Sequence, residues 1–210
     1  WYFLSRAPVR AAKTFASDPV EESVPVRGEY LLWIALSALG TWLLLAITNH
    51  LTQNVASIPF LWLLPLTIYL LTFVPCFESD RWYRRSRFLL PAAALLLLCA
   101  YGLQHGSVGA TVRVAIPVYS VGLFFFCMFL HGELSRMRPE PRYLTRYYLM
   151  LSLGGALGGI MVGLVAPRVL PAYYELGIGF VLTALLALTV LAPRRSLVLG
   201  SAAVAAACSF

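Results

Sequence analysis

Long apolar runs recur along the chain, and short connections that carry arginine separate them. Several runs reach about 20 residues, the length that an α-helix needs to cross the hydrocarbon core of a bilayer. The runs are continuous and rich in Leu and Ala, without the alternation of barrel strands. Charged residues make up only 12% of the chain, about half the usual fraction in soluble domains. The sequence therefore predicts an all-α, polytopic transmembrane helical bundle.

The apolar runs predict about six complete spans, with partial spans at both ends of the chain. Residues 1–4 read as the end of a preceding transmembrane helix, and the proline-bearing residues 5–29 read as a linker. Pro65 lies inside the second predicted span, where we expect it to kink the helix. We expect the chain to be part of a longer protein, because neither end reads as a natural terminus. The transmembrane domain is residues 30–210, with spans predicted at 30–47, 58–77, 88–103, 112–130, 147–165, 176–191 and 196–210.

The distribution of basic residues predicts the orientation of these spans. If residues 5–29 are cytoplasmic, 14 of the 16 basic residues are cytoplasmic: four in 5–29, four in 81–87, four in 136–146 and two at 194–195. This asymmetry is typical of the positive-inside rule, in which lysine and arginine set topology and meet anionic lipid. We therefore expect the lipid bilayer and other transmembrane helices, of this protein or of a larger complex, as partners. Nucleic acid is not expected as one.

Five glycines recur at helical spacing in the fifth predicted span. They form three GxxxG pairs, 154/158, 155/159 and 159/163, and the missing side chains would let another helix backbone approach closely. The alternative is a nucleotide-binding loop, which would follow a strand in a soluble fold. The pattern predicts close helix packing, within this protein or with a partner, through Gly154, Gly155, Gly158, Gly159 and Gly163.

A polar run without a formal charge, residues 48–54, follows the first predicted span. One interpretation is a helix end and turn that cap themselves with short polar side chains. The other is the lining of an outward-facing cavity for a polar or cationic ligand, with a protonatable histidine. In the second interpretation the lining residues are Asn49, His50, Gln53 and Asn54.

Two connections on the predicted cytoplasmic side concentrate charge. The one after the fourth predicted span favours an interfacial cluster in which Glu133 and Glu140 pair with arginines. The alternatives are a proton relay or a docking surface stiffened by Pro139 and Pro141. The connection at 81–87 sets topology and is compatible with anionic-lipid contact. The candidates for cytoplasmic docking or lipid contact are His131, Glu133, Arg136, Arg138, Arg142, Arg81, Arg84 and Arg85.

Nothing in the sequence suggests catalysis. It contains no Ser/His/Asp set, no paired-carboxylate site and no phosphate-binding loop. The four cysteines occur singly in apolar segments, which favours ordinary packing. His131 and Glu133 would need further ligands to bind a metal. We therefore expect no catalytic residue, no metal site and no cofactor in these 210 residues.

Three segments together resemble a known family: LLLAITNHLTQNVASIPFLWLLPLTIYLLTF, HGELSRMRPEPRYLTRYYLMLSLGGALGGIMVGLVAPRV and PAYYELGIG. They are similar to the membrane domain of bacterial fused MFS-like/spermidine synthase-like proteins. In that family a multi-span domain precedes a soluble Rossmann-type domain similar to aminopropyltransferases. The resemblance covers most of residues 28–195. It implies a multi-pass protein of the bacterial inner membrane, in which any transferase activity lies in a cytoplasmic domain beyond this chain.

Three functions follow from these observations. The first is an integral membrane domain of a spermidine synthase-like protein that anchors or serves a cytoplasmic enzyme domain. The second is a non-catalytic accessory subunit of a larger membrane complex. The third is a transporter of small, polyamine-like solutes, which is disfavoured because no acidic residue lies in the middle of a predicted span.

Overall fold

The computed structural model describes residues 27–55, 60–79, 81–105, 112–170 and 174–191. All regular secondary structure in these residues is helical, which confirms the all-α prediction. The predicted spans at 1–4 and 196–210, and most of the linker 5–29, lie outside the described residues. The helices are α1 (Arg27–Asn49), α2 (Leu63–Glu78), α3 (Arg85–His105), α4 (Val112–Arg136), α5 (Leu144–Ile160), α6 (Ala166–Val169) and α7 (Glu175–Leu191), with π-helices at His50–Val55 and Met161–Val165 and a 3₁₀ turn at Pro141–Tyr143.

Four helical stretches of the described chain are long and apolar enough to cross a membrane. Their mean hydropathies lie between 1.7 and 2.0, and α2 and α7 are apolar but shorter. Helices suit this environment because each satisfies its backbone hydrogen bonds internally. The fold is therefore that of a membrane-embedded helical protein. The four stretches are Arg27–Gln53, Arg85–Gln104, Arg113–Arg136 and Pro141–Val169.

The bounds of two helices differ from the bounds of the predicted spans. Helix α4 continues to Arg136, beyond the predicted end of the span at residue 130. It can do so because Thr72 pairs with His131 and because Tyr83 and Arg85 pair with Glu133, so that these polar groups need not face water. Helix α2 begins at Leu63, so Pro65 lies in its first turn and Pro75 is the proline inside the helix. A proline in the first turn costs no helical hydrogen bond, so Pro65 does not interrupt the hydrogen bonding of α2 as the prediction of a mid-helix proline required.

Helices α1 and α4 form the centre of the described bundle. Helix α1 packs against α2, α4, α5 and α7, and α4 packs against α1, α2 and α3. Their largest inward side chains, such as Trp33 on α1 and Phe126 on α4, are fully buried. By contrast, α3 and α5 leave large apolar side chains such as Leu90 and Leu149 exposed. Such outward apolar faces suit contact with lipid.

Helices α1 and α5 lie side by side and run parallel. Ile34 and Ala38 on α1 meet Gly154 and Gly158 on α5 in the same order along both chains. A Cβ added to Gly154 would lie 2.5 Å from the Ile34 carbonyl oxygen, and one added to Gly158 would overlap the Ala38 carbonyl. Between the same helices, the Ser37 hydroxyl donates a hydrogen bond to the Leu151 carbonyl (2.6 Å). This contact therefore requires the absence of side chains at two glycines.

The other three glycines lie at increasing distance from this contact. A Cβ on Gly155 would lie 3.5 Å from Thr41 Oγ1, an ordinary van der Waals distance. A Cβ on Gly159 would lie 4.0 Å from Thr41 Cγ2, and one on Gly163 would have nothing within 4 Å. Of the five glycines predicted to pack, the structure thus places two against the α1 backbone, two beside it and Gly163 away from it.

Most arginines of the described chain lie at one end of the molecule. Contacts between Arg85 and Glu133 and between Arg138 and Phe77 bring the α2–α3 and α4–α5 connections together. The parallel pairing of α1 with α5 places the start of α1 at the same end. Nine of the eleven described arginines therefore lie at this end, and Arg113 and Arg168 lie at the other. We call it the arginine-rich end: Arg27, Arg81, Arg84, Arg85, Arg87, Arg136, Arg138, Arg142 and Arg146.

Candidate functional site: a buried glutamate and an arginine-lined cavity

A buried carboxylate organises the arginine-rich end. Glu133 lies in the last turns of α4 and is 2% exposed. The Tyr83 hydroxyl and Arg85 Nε each donate a hydrogen bond to its Oε1, both at 2.7 Å. Arg85 Nη2 donates to its Oε2, and Arg136 Nη1 lies 3.8 Å from Oε1. These charge-assisted hydrogen bonds offset the cost of removing the carboxylate from water.

Tyr83 reaches this carboxylate because α4 has a glycine beside it. A Cβ on Gly132 would overlap the Tyr83 ring, so the ring lies directly on the helix backbone. Tyr83 is itself buried. Burial, and then the hydrogen bond to Glu133, raise the pKa of its phenol well above the ordinary value. The phenol therefore stays protonated and remains a donor to Glu133.

Two further hydrogen bonds join helix ends near Glu133. The Tyr147 hydroxyl donates to the Leu134 carbonyl (2.7 Å), linking the start of α5 to the end of α4. Arg138 Nη2 donates to the Phe77 carbonyl (2.8 Å), and its guanidinium lies 5.6 Å from the centroid of the Phe77 ring. The Phe77 carbonyl lies in the last turn of α2, where carbonyls have no partner within the helix, so Arg138 satisfies a group that needs a donor. The Leu134 carbonyl also accepts from the Met137 N–H (3.2 Å). The ends of α2 and α4 and the start of α5 are thus joined.

His131 lies in the interior of the helical bundle. It is 2% exposed, and its ring meets Tyr69 and Phe73 edge-on at 4.7 and 5.2 Å between centroids. Its Nδ1 lies 3.1 Å from Thr72 Oγ1. The Thr72 hydroxyl donates its proton to the Tyr69 carbonyl (2.8 Å), so Nδ1–H donates to Thr72 and Nε2 is left as an acceptor. Nε2 has no hydrogen-bond partner within the described part of the chain.

This placement corrects the expectation for His131 and Glu133. Both were candidates for docking or lipid contact, but both are buried and offer no surface to a partner. Residues two apart on a helix point to different sides, and the two side chains have separate sets of contacts. In the described structure no hydrogen bond joins them, so they do not form a proton relay with each other. Glu140 is exposed.

An open cavity lies beside Glu133 at the arginine-rich end. Its volume is about 490 Å³. Ser135, one of its lining residues, is 6% exposed, and its hydroxyl has no hydrogen-bond partner among the described residues. Arg85 and Arg138 already bond to protein groups, whereas Arg84 is exposed and makes no ion pair within the described ranges. The lining residues are Tyr83, Arg84, Arg85, Ser135, Arg136 and Arg138.

The structure therefore places the eight predicted docking or lipid-contact residues in different environments. Four arginines, at 84, 85, 136 and 138, line the cavity. Glu133 holds Arg85 in place, and His131 packs in the interior. Arg81 is exposed, with its backbone N–H 3.4 Å from Ser79 Oγ, and the Arg142 guanidinium lies 5.7 Å from the centroid of the Tyr143 ring. Neither lines the cavity.

The polar run at residues 48–54 is helical. Helix α1 continues beyond Asn49 as a π-helix, and the Thr48 and Thr52 hydroxyls donate to carbonyls one turn earlier, at 2.6 and 2.8 Å. The His50 ring meets Tyr119 edge-on at 4.7 Å between centroids. Asn49 is half-buried and Gln53 is exposed. The side chain of Asn54 lies outside the described structure.

Three residues of the site were not among the sequence candidates. Tyr83 lies among arginines, and Ser135 lies in a polar stretch, so neither is conspicuous. Only Gly132 could have been singled out from the sequence, because an isolated glycine in a helix often marks a close approach by another group. The pairing of Tyr83 with Gly132 and Glu133 joins residues about fifty positions apart, and no local pattern indicates it.

The fold and the arginine-rich end define the class of protein: a membrane-embedded helical protein with an arginine-lined cavity at one end. The comparisons add no family to that class. No protein-family model matches the chain, and no curated protein sequence or solved structure matches it either.

Proposed function

We propose that the chain is the integral membrane domain of a spermidine synthase-like protein and anchors a cytoplasmic aminopropyltransferase-like domain. The observation that carries the proposal is the construction of the arginine-rich end. Buried Glu133 joins the start of α3 to the end of α4, and exposed arginines surround this junction. The end is a basic surface with fixed geometry, as a docking platform requires. The enzyme part of the proposal rests on the family resemblance alone.

The charge of this surface favours an acidic or anionic partner. Glu133 is engaged mainly by Arg85, with Arg136 at the longer distance of 3.8 Å. Arg84, Arg136 and Arg138 are all exposed, so positive charge exceeds negative charge at this surface. Complementary charge across an interface fixes orientation and speeds association. The surface therefore suits an acidic face of a cytoplasmic domain that is tethered to the same polypeptide.

The proposed topology places the arginine-rich end in the cytoplasm of a bacterial cell. The positive-inside rule supports this orientation, since nine of the eleven described arginines lie at that end. In this arrangement α2 and α7 complete six spans together with the four longer stretches. Glu133 lies at the cytoplasmic end of its span and is already paired, so it does not serve as an acidic site for a cation in mid-membrane. Anchoring therefore fits the structure better than polyamine transport.

Photo-crosslinking within the full-length polypeptide tests this function. A photoreactive phenylalanine analogue replaces Arg142, exposed at the arginine-rich end. In a matched control it replaces Tyr174, which is 59% exposed at the opposite end. We expect crosslinks from position 142 to a cytoplasmic domain of the same polypeptide, and none from position 174. Crosslinks from position 142 only to a separate polypeptide would show an accessory subunit instead, and equal crosslinking at both positions would contradict the docking surface.

A further inference from the structure

We propose that the cavity between the α2–α3 connection and the end of α4 binds a phosphate group. Two sources share this chemistry: the headgroup of an anionic phospholipid and a free phosphate or phosphomonoester. The site requires no cytoplasmic domain, so it goes beyond the anchoring function. It rests on three features of the cavity: its charge, an unpartnered buried hydroxyl and its depth in the membrane.

The first feature is an excess of positive charge in a small volume. Four arginines line the cavity, and the nearest carboxylate, Glu133, is engaged by two hydrogen bonds from Arg85. Arg138 commits one Nη to the Phe77 carbonyl, which leaves its other N–H groups for a ligand. Like charges held this close repel one another, and a bound anion relieves that repulsion. Phosphate suits the site because guanidinium groups bind its oxygens through paired N–H donors.

The second feature is the hydroxyl of Ser135. This residue lines the cavity, yet its Oγ is buried and has no hydrogen-bond partner among the described residues. The large majority of buried side-chain polar groups in proteins have a partner, so an orphaned hydroxyl beside a basic cavity indicates a missing acceptor. A phosphate oxygen supplies that acceptor, and a hydrogen bond to an ionised oxygen is stronger than one between neutral groups.

The third feature places the cavity at the depth of lipid headgroups. Trp82 precedes the lining residue Tyr83, and its side chain is 63% exposed. Exposed tryptophans at the ends of spans typically lie at the membrane–water interface. The membrane-spanning stretch of α3 begins at Arg85, three residues after Trp82. The cavity volume of about 490 Å³ accommodates a phosphate together with the glycerol attached to it in a headgroup.

The test measures thermal unfolding of the purified chain in uncharged detergent, followed by tryptophan fluorescence. Three probes are titrated separately: phosphatidylglycerol, phosphatidylcholine as the zwitterionic control, and inorganic phosphate against sodium chloride of equal ionic strength. Arg84→Gln and Ser135→Ala alter the cavity. Arg87→Gln is the matched control, because Arg87 is exposed in the same region but does not line the cavity.

We expect phosphatidylglycerol or inorganic phosphate to raise the unfolding midpoint in a saturable way. A rise with the lipid alone assigns the site to a headgroup, and a rise with inorganic phosphate assigns it to a free phosphate. Arg84→Gln and Ser135→Ala should each weaken the apparent affinity roughly fivefold, as loss of about 1 kcal/mol per contact implies. Arg87→Gln should change it by less than about twofold.

Two results would overturn the site. The first is the absence of any saturable rise with either phosphate-containing probe beyond that with phosphatidylcholine or sodium chloride. The second is an equal loss of affinity in Arg84→Gln, Ser135→Ala and Arg87→Gln, which would show diffuse surface attraction. Because Arg84 and Arg87 are exposed and Ser135→Ala removes one atom, all three variants should fold, and their unfolding midpoints without probe verify this.

Discussion

A methyl group added at Gly154 should push α5 away from α1, whereas the same methyl group added at Gly155 should not. The Cβ of Gly154→Ala would lie 2.5 Å from the Ile34 carbonyl oxygen, and the Cβ of Gly155→Ala would lie 3.5 Å from Thr41 Oγ1. The carbonyl belongs to a helix backbone and cannot rotate aside, whereas the Thr41 hydroxyl can. Two adjacent substitutions in one helix therefore separate the packing effect from any general effect of alanine.

The magnitude follows from the distance. Close carbon–oxygen contacts between helices lie at about 3.3–3.6 Å, so the two backbones must move apart by roughly 0.8–1.1 Å. Such a gap forfeits about a quarter to a half of the dispersion energy of the separated atoms, and overpacking of this kind typically costs about 1–3 kcal/mol. It also stretches the 2.6 Å hydrogen bond from Ser37 to Leu151, which contributes about 1 kcal/mol. The packing cost at Gly154 is therefore about 2–4 kcal/mol.

Helix propensity acts in the opposite direction at both positions. Replacing glycine by alanine inside a helix stabilises it by about 1 kcal/mol. We therefore expect Gly154→Ala to lower the free energy of unfolding by about 1–3 kcal/mol and Gly155→Ala to raise it by up to about 1 kcal/mol. Gly158→Ala should behave like Gly154→Ala, because its Cβ would overlap the Ala38 carbonyl. Gly159→Ala should behave like Gly155→Ala, because its Cβ would meet only the Thr41 side chain.

The assay is equilibrium unfolding in mixed micelles, with the fraction of denaturing detergent as the variable and tryptophan fluorescence as the signal. The informative quantity is the difference in unfolding free energy between each variant and its neighbour, since helix propensity cancels in that difference. A difference below about 0.5 kcal/mol within both pairs, the usual scale of neutral substitutions, would refute the close α1–α5 contact.

Three further predictions concern the arginine-rich end. Glu133→Gln should lower the free energy of unfolding by about 2 kcal/mol in the same assay, because it leaves the half-buried Arg85 unpaired. The exposed control Glu140→Gln should stay within about 0.5 kcal/mol, and equal effects would contradict the buried cluster. Tyr83→Phe keeps the ring on α4 but removes one hydrogen-bond donor to the Glu133 carboxylate, so it should lower the free energy of unfolding by about 1.5–3 kcal/mol in that assay. An unchanged free energy of unfolding would show that the hydroxyl bonds elsewhere. Single cysteines that replace Trp82 and Tyr174 should react with a membrane-impermeant maleimide from opposite sides of the membrane. The cysteine at position 174 should react in intact cells, and the one at position 82 only after the cells are opened. Labelling of both positions from one side would contradict the proposed topology.

The apolar runs predicted the described helices because length and continuous apolarity determine what a lipid environment can hold. They did not predict where α4 ends. A polar triplet at His131 reads as the end of a span, since polar side chains in lipid are costly. The helix continues because Thr72, Tyr83 and Arg85 pair with those side chains, and these residues come from elements distant in sequence.

The glycines show a similar limit. Their spacing predicted a close contact but assigned equal weight to all three GxxxG pairs. Which pair faces the partner depends on the rotation of α5 about its axis, and this rotation is set by the fit of α5 against α1. In the structure Gly154 and Gly158 face Ile34 and Ala38. The cavity could not be read from the sequence for the same reason, since its arginines belong to two connections that only the folded chain brings together.

The glycine contact and the glutamate cluster are connected through α5. Helices α1 and α5 meet at backbone distance at Gly154 and Gly158, and the start of α5 is bonded to the end of α4 by Tyr147. At the arginine-rich end, α2, α3 and α4 are joined through Phe77, Arg85 and Glu133. Five helices thus hold the arginines at fixed spacing, which lowers the entropic cost of binding a ligand and favours one geometry over diffuse attraction. Alternating access would require helices to separate at this end. The same contacts that organise the cavity oppose that separation, so binding at the surface fits this architecture better than passage through it.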